Sequence, residues 1–153
     1  MKIADSLSKE LILPHLAAKT KVDSLMEFAE ALAKVHPTLK KDDIAHILLE
    51  REKLGSTGIQ DGVAIPHGKI KDLNNIVILF GRSPEGIDFQ AHDNKPTNLF
   101  FVLLAPETAT STHLKLLARL SKLLKNQELR DELLKAKDAE KIYQILCRED
   151  EKA

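Results

Sequence analysis

Six histidines are the only side chains in this sequence that change charge near neutral pH without help from their surroundings. His67 stands apart from the rest. Pro66 stiffens the backbone before it, and Gly68 leaves the far side of the ring open to an approaching partner. Val63 to Ile65 reads as a short strand that ends in the turn Pro66-His67-Gly68. Such a turn would push the imidazole out at the strand's carboxyl end, where ligands bind in open α/β sheets. A histidine that merely decorates a tight turn fits the same residues. His113 follows Ala109-Thr110-Ser111-Thr112 and falls in the first turn of a helix, where free N–H groups and the helix dipole favour an anion. Its spacing to Leu116, Leu117 and Leu120 suits a core histidine equally well. If Val63 to Ile65 and Leu99 to Leu104 are parallel strands, both histidines leave one edge of the sheet. Two imidazoles beside a helix N-terminus could then hold a phosphoryl group, one as nucleophile and one as hydrogen-bond donor. His15, His36, His46 and His92 read as surface or capping side chains.

Other chemistries find no frame here. The sequence lacks H-E-x-x-H and C-x-x-C, so a zinc site would need scattered ligands. It also lacks G-x-x-x-x-G-K-[ST] and G-x-S-x-G, which disfavours a direct ATP-using kinase and a serine hydrolase. No cofactor and no metal is expected.

The elements that must position these histidines are legible from periodicity. Leu11-Ile12-Leu13, ended by Pro14, reads as a brief strand or an extended arm. Ser24-x-x-Glu27 is a capping-box pattern, followed by Leu25, Phe28, Leu32 and Val35 at helical spacing, with Pro37 as the stop. A second helix starts near Asp42, presents Ile44, Ile47, Leu48 and Leu54 on one side, and ends at Gly55. Ile76 to Phe80 and Leu99 to Leu104 are continuously apolar, as buried strands usually are, and Ile87-Asp88-Phe89 alternates like a short edge strand. From Thr112 onward the chain reads as helices, one with Leu116, Leu117, Leu120, Leu123 and Leu124 on its apolar face. Asn126 and Asp138 cap two more. The expected fold is α/β, a single domain over residues 1–153 with a small, mostly parallel mixed sheet and helices on both faces.

Totals agree with that class. Lys plus Arg (23) balances Asp plus Glu (23), which argues against coating nucleic acid, and 43% hydrophobic residues is ordinary for a globular chain. The lone Cys147 allows no internal disulfide. Met1-Lys2-Ile3-Ala4-Asp5 lacks the apolar run of a signal peptide, and Leu99 to Ala105 is too short to span a bilayer. A cytoplasmic protein without membrane insertion is expected.

The run Arg51-Glu52-Lys53-Leu54-Gly55-Ser56-Thr57-Gly58-Ile59, then Gly62-Val63-Ala64-Ile65-Pro66-His67-Gly68-Lys69, resembles the active-site signature of the fructose/mannitol-type enzyme IIA family. The resemblance continues through Ile87-Asp88-Phe89, Asp93-Asn94-Lys95-Pro96 and Leu103-Leu104-Ala105-Pro106 to Thr112-His113-Leu114. The Gly-Ser-Thr-Gly, Pro-His-Gly-Lys and Thr-His-Leu versions are similar to the nitrogen-regulatory branch. The resemblance implies that His67 takes a phosphoryl group, that His113 is the second active-site histidine and that Arg51 is the active-site arginine. Ser56 and Thr57 could add hydroxyl donors or simply shape a turn. Read by itself, Arg51 would be an exposed helix residue paired with a carboxylate. The implied donor is a small histidine phosphocarrier protein. The implied downstream partner is either a regulatory target or a IIB protein whose cysteine receives phosphate for sugar uptake. Gln60 departs from the pattern, which commonly has Gly or Ala there.

Overall fold

A computed structural model describes residues 2–152; Met1 and Ala153, the ends of the expected domain, lie outside the described residues. A single 3-10 turn, Ile3–Asp5, leads into β1 (Leu7–Leu13), then α1 (Lys21–Val35) and α2 (Lys41–Lys53). The strands β2 (Val63–Ala64), β3 (His67–Ile70), β4 (Val77–Ile87) and β5 (Thr97–Pro106) follow, and α3 (Thr110–Leu123), α4 (Gln127–Lys135) and α5 (Ala139–Lys152) close the chain.

The sheet runs β1-β4-β5-β2, with β3 also on β5. Pairings β1–β4, β2–β5 and β3–β5 are parallel, and only β4–β5 is antiparallel. The expected mostly parallel sheet with helices on both faces is therefore the observed one. β5 is apolar from Leu99 to Ala105 because both its faces are covered there. Phe101, Leu103 and Ala105 meet Leu116, Leu120, Leu133 and Ile142 on one side. Phe100, Val102 and Leu104 meet Leu25, Phe28, Leu32, Ile44 and Leu48 on the other.

Several local expectations are corrected. The helix α1 starts one turn before the Ser24 capping box, because Thr20 accepts from the Asp23 N–H at 3.2 Å. Ser24 lies inside the helix and donates to the Lys21 carbonyl, while Glu27 binds the N–H groups of Ala17 and Ala18. Leu54 falls past the end of α2 and is 84% exposed, not on the buried side, since Gly55 at φ 139° turns the chain away. Ile87 ends the long β4 rather than forming a separate edge strand with Asp88 and Phe89. Asn126 and Asp138 cap α4 and α5 as expected, accepting from Glu128 and Lys141 N–H at 2.9 Å each.

The main correction concerns His67. Pro66-His67-Gly68 is not a turn, and His67 does not sit at a strand's carboxyl end. Val63 pairs with Leu99 and His67 with Leu103, at the same offset, so β2 and β3 are one extended edge strand interrupted only at Ile65 and Pro66. Proline, lacking an N–H, is tolerated there because the strand is an edge.

Candidate functional site

Alternation along β3 puts His67 and Lys69 on the same side of the edge strand. His67 is half-buried, and its Nδ1 lies 2.7 Å from the Ile65 carbonyl oxygen at the break between β2 and β3. A carbonyl can only accept, so Nδ1 carries the ring proton and Nε2 keeps its lone pair. Arg51, in the last turn of α2, donates from Nε to that Nε2 at 3.2 Å. It is anchored by a second bond, from Nη1 to the Gly55 carbonyl at 2.8 Å, rather than by a carboxylate.

His113 enters from the first turn of α3, on the opposite face of the sheet from α2. Its ring meets that of His67 edge to face, with centroids 5.4 Å apart. It is 5% exposed, and its buried Nε2 has no hydrogen-bond partner among the described residues. The two histidines thus come together across a parallel β3–β5 pair, as the sequence suggested, but beside the strand rather than at its tip.

Burial disfavours the charged form of both rings. Burial holds His67 below the usual imidazole value, with the Arg51 charge adding to it, while the Ile65 carbonyl and Glu52 pull the other way. His113 is pushed down to about 4, first by burial, then by His67 and Lys69.

Gly68 has a packing reason rather than an access reason. A Cβ there would lie 2.4 Å from Ile47 Cγ2, so α2 can approach β3 closely enough for Arg51 to reach His67 only over a glycine. The sequence reading also missed Glu52. Its buried carboxylate accepts from the Thr57 N–H and hydroxyl and pairs with Lys21 Nζ at 3.0 Å, which fixes the loop after α2. Ser56 donates to the Phe89 carbonyl, so the hydroxyls of Ser56 and Thr57 shape the turn and do not face His67. The signal available in sequence was a carboxylate five residues before a threonine at a helix end, which is weak.

Around His67 lies an open cavity of about 530 Å3 lined by Arg51, Lys69, Thr110 and His113, with Ile47, Leu54, Leu114 and Leu117 at its apolar rim. Leu54 and Leu114 are 84% and 62% exposed. His15, His46 and His92 are exposed elsewhere, and His36 caps the end of α1. Gln60 is exposed beside Asp61 and His92, away from this cavity. Among the described residues no three His, Cys, Asp or Glu side chains are grouped to hold a metal ion, and no helix is long and apolar enough to cross a membrane.

Residues 5–149 match the sequence model of the family described as phosphoenolpyruvate-dependent sugar phosphotransferase system, EIIA 2. A nitrogen regulatory protein of Bradyrhizobium diazoefficiens is 42% identical over 147 residues, spanning 96% of this chain and 95% of that protein. The fructose-specific EIIABC component of Bacillus subtilis is 37% identical over 150 residues, but this chain covers only 24% of its length. The crystal structure of the nitrogen regulatory protein IIA-Ntr from Neisseria meningitidis superposes with a TM-score of 0.89 at 35% identity, covering 94% of this chain and 98% of that one.

Proposed function

Since the chain belongs to the EIIA 2 family of the phosphoenolpyruvate-dependent sugar phosphotransferase system, we propose that it carries a phosphoryl group on Nε2 of His67 and that this group regulates partner binding. The observation that carries the reading is the 2.7 Å bond between His67 Nδ1 and the Ile65 carbonyl, which places the ring proton on Nδ1 and leaves the unprotonated Nε2, held by Arg51, as the ring's nucleophilic nitrogen at the cavity.

The donor is a small histidine phosphocarrier protein, docking on the apolar rim formed by Leu54 and Leu114. His67 Nε2 attacks phosphorus as the donor's P–N bond breaks, and the donor ring leaves with the electron pair of that bond. His67 keeps its Nδ1 proton throughout, so no general base is needed. Arg51 holds the attacking nitrogen in the bare protein and must slide aside, exchanging Nε2 for a phosphoryl oxygen. His113 offers its unpartnered Nε2, as an N–H donor, to another oxygen. Transfer of this kind depends on positioning and charge stabilisation. The donor already holds an energetic P–N bond, so no nucleotide enters the step.

Similarity to nitrogen regulatory proteins along nearly their whole length supports the regulatory role. The second reading is sugar uptake through a IIB cysteine, favoured by similarity to a fructose-specific EIIABC component. Incubation with enzyme I, the phosphocarrier and phosphoenolpyruvate should add one phosphoryl mass to the wild type and none to His67→Ala. Full labelling of a folded His67→Ala would overturn the assignment.

A further inference from the structure

The mouth of the cavity holds a second cation besides Arg51. Lys69 sits two residues beyond His67 on the same side of β3, and its Nζ donates to Thr110 Oγ1 at 2.7 Å. Thr110 is the first residue of α3, a helix of 14 residues whose N-cap, Ala109, offers no side-chain bond and whose first turn holds no acid. The first N–H groups of that helix are therefore not answered by any cap or carboxylate of their own turn. One turn in, His113 lines the same cavity, 95% buried, with an Nε2 that finds no partner. A lysine, an uncapped helix start and an unpartnered buried imidazole thus converge on the space beside His67. Among the described residues no carboxylate pairs with Lys69; its partner is a neutral hydroxyl, which holds an ammonium in place without cancelling its charge.

We propose that Lys69 is a phosphoryl-binding residue, parked on Thr110 in the bare protein and moved onto a phosphoryl oxygen when His67 is loaded. The proposal rests on the His67 reading. It divides the charge of the group between two cations from different elements, Arg51 from α2 and Lys69 from β3. It also makes the start of α3 responsive to the load: once Lys69 leaves, the Thr110 hydroxyl is free, next to the exposed Leu114 of the docking rim. The loaded and bare proteins then differ in the position of an ammonium and in a freed hydroxyl, as well as in the phosphate.

The test compares wild type, Lys69→Met and Lys69→Arg. Each is loaded from the phosphorylated phosphocarrier, and two quantities are read: the single-turnover rate at saturating donor, and the second ionisation of the phosphoryl group by phosphorus NMR in the isolated protein. Removing an ammonium from its oxygens should raise that ionisation by roughly one unit. The saturating rate should fall about 10-fold, less than for a wholly buried donor because Lys69 is exposed. Lys69→Arg should restore most of both. The NMR reading contains no donor, so a lysine that only helped docking would leave it unmoved. A Lys69→Met protein with wild-type ionisation and wild-type saturating rate overturns the proposal. If wild type itself takes no phosphoryl group, the His67 reading has failed instead.

Discussion

His113 is where residue chemistry and stability conflict. A cavity-lining imidazole pushed down to about 4 stays neutral in the folded protein, whereas in the unfolded chain it takes a proton near the usual 6.5. Between those values the unfolded state binds more protons, so folding stability should fall as pH drops through that window, by up to roughly 3 kcal/mol from this one group. Denaturant titrations at pH 7 and pH 5 should show the loss in wild type and a smaller one in His113→Gln. An equal slope in the two proteins would remove His113 as the cause. The same substitution series bears on function: His113→Ala should slow transfer by about 10²-fold, the scale of losing one preorganised donor. The sequence left His113 between a core residue and a site residue, and the structure buries it in the wall of the cavity beside His67. It is packed like a core side chain, yet its Nε2 is left without a partner. Spacing alone could not separate the two because burial and function demand the same helical face.

At the scale of elements, the approach of α2 to the edge strand sets the site. Gly68→Ala would drive a methyl group into Ile47, which lies 2.4 Å from the ideal Cβ position, and would push α2 and Arg51 off β3. Thermal stability and the labelling rate should both drop. Adding Ile47→Ala should recover part of each, with a coupling of about 0.5–3 kcal/mol between the two sites in a double-mutant cycle. Purely additive effects would show that the contact does not govern the helix position. Helix periods, the Asn126 and Asp138 caps and the buried strands were all legible, because each leaves a local pattern. The edge strand at His67 was not. Pro66 and two nearby glycines carry the local signature of a turn, and only long-range pairing with β5 keeps the segment extended. The start of α1 was misread for a similar reason, since two hydroxyl residues one turn apart compete for the cap and the sequence does not rank them.

On the scale of the whole molecule, two separate cores share one sheet, and a buried arginine helps lock the layers together. Arg82 in β4 is 3% exposed. It donates to the Pro14 carbonyl at 3.0 Å and to the Leu133 and Ala136 carbonyls at the end of α4, at 2.8 and 2.6 Å. Sequence gave no hint of it, since nothing local marks a cation that serves carbonyls more than fifty residues away. Arg82→Met should cost about 2–4 kcal/mol of stability, because those acceptors lose their donors; chemical denaturation measures it. Phosphorylation acts at this scale too. Adding roughly −1.5 to −2 charges beside the apolar rim, by analogy with other phospho-residues, should change which proteins the surface accepts. Pull-downs with phosphorylated wild type and with His67→Ala should therefore differ. Identical captures, together with rapid discharge to a IIB protein, would favour the transport reading. The arrangement of the site across two layers has a consequence for biosynthesis. His67 lies on the edge strand, Arg51 comes from a helix on one face, and His113 comes from a helix on the other, nearly fifty residues later in the chain. A nascent chain that has emerged only as far as β3 holds His67 and Arg51 but neither β5, the strand that β3 pairs with, nor His113, so on the proposed assignment it should be a poor acceptor. On the proposed assignment, the phosphoryl mark would report a chain made at least as far as α3.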